Sequence, residues 1–158
     1  MASTQIRLAG GADVSSLAAL RQRWTAESSG ELSDEMFEAR FDRWYASERH
    51  RRRFWLAETD HAPTGMVNLV LFERMPRPGL EAGRWGYLGN MFVVPEHRLS
   101  GVAAMLLAAV LEHAAAAGLE RLVLSPSEAS VPFWRRSGFV NADELLVYRL
   151  GHDERGTR

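Results

Sequence analysis

Hydrophobic and polar positions along the chain fall into alternating helical and extended rhythms. Thr4–Leu8 reads as a short strand. Val14, Leu17, Leu20 and Trp24 then recur at helical spacing behind Asp13, a residue type that caps helix starts, and predict a helix through Glu27. Phe37, Phe41 and Trp44 repeat that spacing in a second helix, from Ser33 or Asp34 to Ser47, with Leu32 placed to staple its start. The polar link Ser28-Ser29-Gly30-Glu31 separates the two. Three extended segments follow, Phe54–Glu58, Gly65–Glu73 and Trp85–Val94. The middle one is rich in Val, Leu and Phe, as a buried strand is. Gly86 and Gly89 interrupt the third, where glycine marks a bulge or a close approach.

Gly101–Ala117 is a long alanine-rich helix with Leu106, Val110 and Ala114 at four-residue steps and Gly118 as its stop. Arg121–Ser125 reads as a strand, Ser130–Ser137 as a short helix with Pro132 in its first turn, and Leu145–Leu150 as a closing strand. The order is one strand, two helices, a run of antiparallel strands, then helix, strand, helix and strand. That order predicts a mixed α/β sheet with helices on its faces, in one domain over residues 1–150. Residues 151–158 read as a disordered tail.

The chemistry concentrates where the third long strand meets the long helix. Val94-Pro95-Glu96-His97-Arg98-Leu99-Ser100-Gly101-Val102-Ala103 ends a strand at a proline, passes through a glycine-bearing loop and opens a helix. The first N–H groups of a helix lack intrahelical partners, and the helix dipole adds about half a positive charge there. Such a start binds anions. Gly101 lets the backbone approach a bulky phosphate, and Arg98 can add a donor fork. A diphosphate is the ligand this loop fits.

Bulk composition narrows the rest. A length of 158 residues with 46% hydrophobic and 25% charged content is that of one soluble domain with a proper core. A net charge of −1 gives no global field toward nucleic acid or anionic membrane. The basic run Arg49-His50-Arg51-Arg52-Arg53 reads as a solvated loop. No apolar run spans a bilayer, and the N-terminus lacks the layout of a signal peptide, so a cytoplasmic protein is expected. The absence of cysteine excludes thiolate metal sites and a cysteinyl intermediate, and the five histidines show no ligand spacing, so no metal is expected.

Arg98-Leu99-Ser100-Gly101-Val102-Ala103 resembles the Arg/Gln-x-x-Gly-x-Gly/Ala loop of the GNAT N-acetyltransferase superfamily. Ser130-Val131-Pro132-Phe133-Trp134-Arg135-Arg136-Ser137-Gly138-Phe139 is similar to its second signature, in the right order and at the right separation. The resemblance covers nearly the whole chain. It implies a mostly antiparallel central sheet, splayed at a parallel strand pair, with about four helices on its faces. It also implies acetyl-CoA as acyl donor. The amides from Arg98 to Ala103 would hold the pyrophosphate, and the pantetheine arm would run beside Met91, Phe92 and Val93. Ser127, Ser130 and Trp134 would lie near the cofactor. A homodimer is a common state in the family.

Acetyl transfer to an amine needs a neutral amine, a stabilised oxyanion and a thiolate leaving group. The backbone N–H near Met91 or Phe92 is the candidate oxyanion donor, because a bulge would aim it at the thioester carbonyl. Many family members carry a tyrosine acid where this chain has Trp134, and an indole donates a hydrogen bond but no proton. Glu27 and Glu73 are the candidate bases, with Glu81, Tyr87 and an ordered water behind them. Asn90, an amide in an apolar strand, is a candidate for the acceptor site. The expected reaction is acetyl transfer to a small primary amine in a ternary complex. The alternatives are a protein N-terminal or lysine acetyltransferase, and a non-catalytic acyl-CoA-binding sensor.

Overall fold

A computed structural model describes residues 2–150, so the tail expected over residues 151–158 lies outside the described residues. The strands are β1 (Thr4–Leu8), β2 (Arg52–Thr59), β3 (Ala62–Glu73), β4 (Arg84–Val93) and β5 (Leu122–Val123). The helices are α1 (Val14–Ser29), α2 (Phe37–Glu48), α3 (Val102–Ala116) and α4 (Val131–Arg136). The sheet runs β1-β2-β3-β4-β5, antiparallel except for the parallel β4–β5 pair. The described residues divide into two compact units, one up to Leu122 and one from Val123 onward.

In the first unit, one sheet face is closed by α1 and α2. Val14, Leu17, Leu20 and Tyr45 pack with Phe54, Leu56, Met66, Phe92 and Val94. Trp24 lies flat on Phe92, with ring centroids 5.7 Å apart. α3 covers the opposite face through Val102, Leu106, Leu107, Val110 and Ala114, the four-residue stripe that the sequence predicts. A Cβ placed on Gly86 would come within 2.6 Å of Leu69 Cδ1 and 2.9 Å of Leu122 Cδ2, so this glycine exists for close approach.

Several expectations are corrected. In α2 the buried ring is Tyr45, while Trp44 is half-exposed with its ring against Phe54 and beneath the Arg52 guanidinium. The predicted face is kept, with Phe41 packed against the core, and is widened to Tyr45, to which the sheet offers the Phe54 ring at 5.2 Å. Leu32 staples nothing and is exposed. Asp13 stands at the N-cap of α1, yet its carboxylate turns back to the Gly10 N–H and to Arg7. Leu145–Leu150 forms no strand, and its apolar side chains are exposed. An apolar run becomes a strand only where a neighbouring edge supplies hydrogen bonds.

Candidate active site

β4 ends in an irregularity. Met66 pairs with Phe92 and Asn68 with Gly89, so Val67 alone faces two residues, Asn90 and Met91. Such a bulge leaves a residue out of the ladder. Asn90 adopts φ +54°, in the left-handed region. Asparagine tolerates that region better than other side chains, yet the conformation still costs about 1–3 kcal/mol. β5 is two residues long against ten for β4, so the end of β4 holding Met91, Phe92 and Val93 lies at the edge of the sheet.

Beyond β4 a 3-10 turn, Pro95–His97, leads into the loop. Ser100 Oγ donates to the His97 carbonyl at 2.5 Å. Leu99 has φ +61° and a fully exposed side chain, and Gly101 has φ +86° at the N-cap of α3. A Cβ on Gly101 would meet nothing within 4 Å. The glycine therefore answers a backbone requirement and leaves open space over the helix start. No acidic side chain occupies the first turn of α3. Val102 is buried beneath it, and Ala103 is half-buried.

Arg98 departs from its expected role. Its NH1 and NH2 donate to both oxygens of Glu27 at 2.7 and 2.6 Å, and Nε donates to the Val93 carbonyl at 2.9 Å. The fork is spent on protein groups and is not presented to a phosphate. The Arg98 amide is taken too, by the Pro95 carbonyl at 3.2 Å. One helical turn back on α1, Arg23 reaches both oxygens of Glu96. Two ion pairs thus tie the end of α1 to the loop. Hydrogen bonds from Arg98 hold the Glu27 carboxyl below the usual range, reinforced by the charges of Arg98 and Arg23. Glu27 is a fixed anion beside β4.

The other candidate base is not brought to this place. Glu73 is exposed and pairs in register with Arg84, seven residues before Met91 on β4, which is on the order of 20 Å along a strand. Tyr87 sits opposite Val70, half-buried, and Glu81 lies in the exposed loop before β4.

In the second unit Ser130 Oγ donates to the Ser127 carbonyl at 2.9 Å and accepts from the Trp134 indole N–H at 3.1 Å. Trp134 is buried, with the Phe133 and Phe139 rings edge-on at 4.9 and 5.3 Å. Its one donor is therefore committed to a serine. The helix cap Gly138 has φ +96°, which explains the glycine of the second signature.

One chain of contacts escaped the sequence reading. The basic run is not a solvated loop throughout: Arg52 opens β2, largely buried, and Glu48 holds it at 2.9 Å through Nε. Arg52 NH1 donates to Asn68 Oδ1 at 2.7 Å, and Asn68 Nδ2 donates to Asn90 Oδ1 at 2.8 Å. The available signal was an asparagine in each of two apolar strands, spaced to face one another.

Residues 17–139 match the Acetyltransferase (GNAT) family, and the chain belongs to it. No curated protein sequence matches the chain. Among solved structures it is similar to a predicted acetyltransferase with acetyl-CoA from Clostridium acetobutylicum, with 22% identity, TM-score 0.75, and 93% and 96% of the two chains covered. It is similar to glucosamine-6-phosphate N-acetyltransferase from Arabidopsis thaliana, with 13% identity, TM-score 0.72, and 94% and 99% covered. It also resembles aminoglycoside N-acetyltransferase AAC(6')-Iy in complex with CoA, with 18% identity, TM-score 0.69, and 95% and 96% covered. Among the described residues no group of side chains could hold a metal ion, and no helix is long and apolar enough to cross a membrane.

Proposed function

We propose that this chain transfers the acetyl group of acetyl-CoA to a primary amine of a small molecule, by direct attack in a ternary complex. The observation that carries the reading is the bulge at Asn90–Met91, in the end of β4 that the short β5 leaves uncovered, joined through the Pro95–His97 turn and its loop to the open N-terminus of α3. A helix start with no acid in its first turn suits a diphosphate. A strand end left uncovered by its neighbour accepts an extended partner through main-chain hydrogen bonds, which suits the pantetheine arm beside Met91, Phe92 and Val93. The names of two structural neighbours, with aminosugar and aminoglycoside acceptors, favour a small-molecule amine.

In this reading the Met91 N–H receives the charge that develops on the thioester oxygen. The amine nitrogen attacks the carbonyl carbon, the C–N bond forms, the C–S bond breaks and CoA leaves as thiolate. The proton shed by the amine passes to water, since Glu27 is pinned by Arg98 and Glu73 lies far along the sheet. With the Trp134 N–H donated to Ser130, departure rests on the thiol itself, which leaves as a thiolate without a side-chain acid.

Titration calorimetry with acetyl-CoA, followed by a thiol-release screen over small amines, tests the reading. Binding with turnover on an amine supports it. Binding without turnover on small amines, N-terminal peptides or lysine peptides favours an acyl-CoA sensor. No binding overturns it.

A further inference from the structure

We propose that Asn68 is a positioning residue for acetyl transfer, holding Asn90 in the left-handed conformation that creates the β4 bulge. The inference rests on reading the Met91 N–H as the oxyanion donor. Asn68 lies on the sheet face that carries Phe54 and Met66 and is only 3% exposed. A buried amide among apolar neighbours is costly unless its groups are paired. Here the pairing is directional. Arg52 has only donors, so it fixes Asn68 Oδ1 as the acceptor and turns Nδ2 toward Asn90. Asn90 must then present its oxygen. Arg52 is held in turn by Glu48 at the end of α2 and by the Trp44 ring, 5.1 Å from its guanidinium.

The consequence is a line of polar contacts from the last residue of α2 to the residue before Met91. Its far end is the one non-glycine in β4 with positive φ. Without the hydrogen bond from Asn68, nothing in this line restrains Asn90 from relaxing to extended backbone. That change would merge the bulge into the ladder and swing the Met91 N–H. The line contributes no reacting group; it sets the direction of one donor.

The test compares the wild type with Asn68→Ala, with Asn68→Leu as the form that keeps side-chain volume should alanine fail to fold. Loss of a single oxyanion donor costs about a hundred- to a thousandfold in kcat, so a misdirected one is expected to cost about ten- to a hundredfold. Acetyl-CoA affinity should change less than about threefold, since the main-chain cradle on α3 is untouched. The discriminating variant adds Asn90→Gly to the Asn68 variant. Glycine holds positive φ unaided, so kcat should recover most of its loss. Amide–Hα coupling of Asn90 in labelled protein should report conversion to extended backbone in Asn68→Ala. Unchanged kcat overturns the proposal, and so does a loss that glycine does not rescue. Should the wild type bind acetyl-CoA and transfer nothing, the acyl-transfer reading fails alone. The coupling then decides whether Asn68 holds the bulge: a left-handed Asn90 in the variant overturns it.

Discussion

Replacing Gly101 separates two reasons for a glycine at the start of α3. Its φ of +86° charges an alanine about 1–2 kcal/mol of backbone strain, while the new Cβ meets nothing within 4 Å. No steric term adds to that, so Gly101→Ala should fold and melt about 2–8 °C lower. The added carbon enters the space where a phosphate would approach the α3 amides. Loss of one charge-assisted hydrogen bond is about 1.5–3 kcal/mol, which is roughly 10- to 100-fold in Kd for acetyl-CoA. Asparagine tolerates positive φ, so Gly101→Asn should recover most of the melting temperature and none of the affinity. Calorimetry with acetyl-CoA and thermal melts on the three proteins give both quantities. An asparagine variant that binds as tightly as wild type would refute the cradle, leaving the glycine a purely conformational role.

Glu27→Gln should lower kcat less than about tenfold, because an anion clamped by Arg98 is a tie and not a proton acceptor; removal of a general base costs about a hundred- to ten-thousandfold, and such a loss would restore Glu27 to that role. Arg7 holds Asp13 and Glu58 below their ordinary values, chiefly by hydrogen bonds to each. Stability from these depressed groups is present above the unfolded values near 4 and is lost as pH falls through the folded ones. The melting temperature should therefore fall below about pH 4, and Arg7→Gln should flatten that acid limb; an unaltered limb refutes the assignment. Gly86→Ala drives a methyl into Leu69 and Leu122, and overpacking of about 1–3 kcal/mol should lower the melting temperature by about 2–12 °C. A wild-type melt would show that the leucines yield freely.

Most of the sheet was legible because its strands and helices announce themselves by period: α3 buries the residues its four-step stripe names, and Trp24 closes the α1 face on Phe92. The loop was legible because glycine at a left-handed helix start is a local necessity. What escaped was set by tertiary partners. The Arg98 fork is claimed by Glu27, 71 residues away, and a sequence motif names the donor without naming what it meets. Arg52 hid inside a basic run until β2 carried it inward beside Asn68. Leu145–Leu150 has the composition of a strand, and composition does not supply a neighbouring edge.

That last segment bears on how the protein behaves as a solute. Val140, Leu146, Val147, Tyr148 and Leu150 are each more than 70% exposed, within eleven residues of chain. A net charge of −1 supplies almost no long-range repulsion to keep such surfaces apart. Colloidal stability in neutral buffer then rests on short-range hydration, and the osmotic second virial coefficient should rise as pH moves the net charge away from zero.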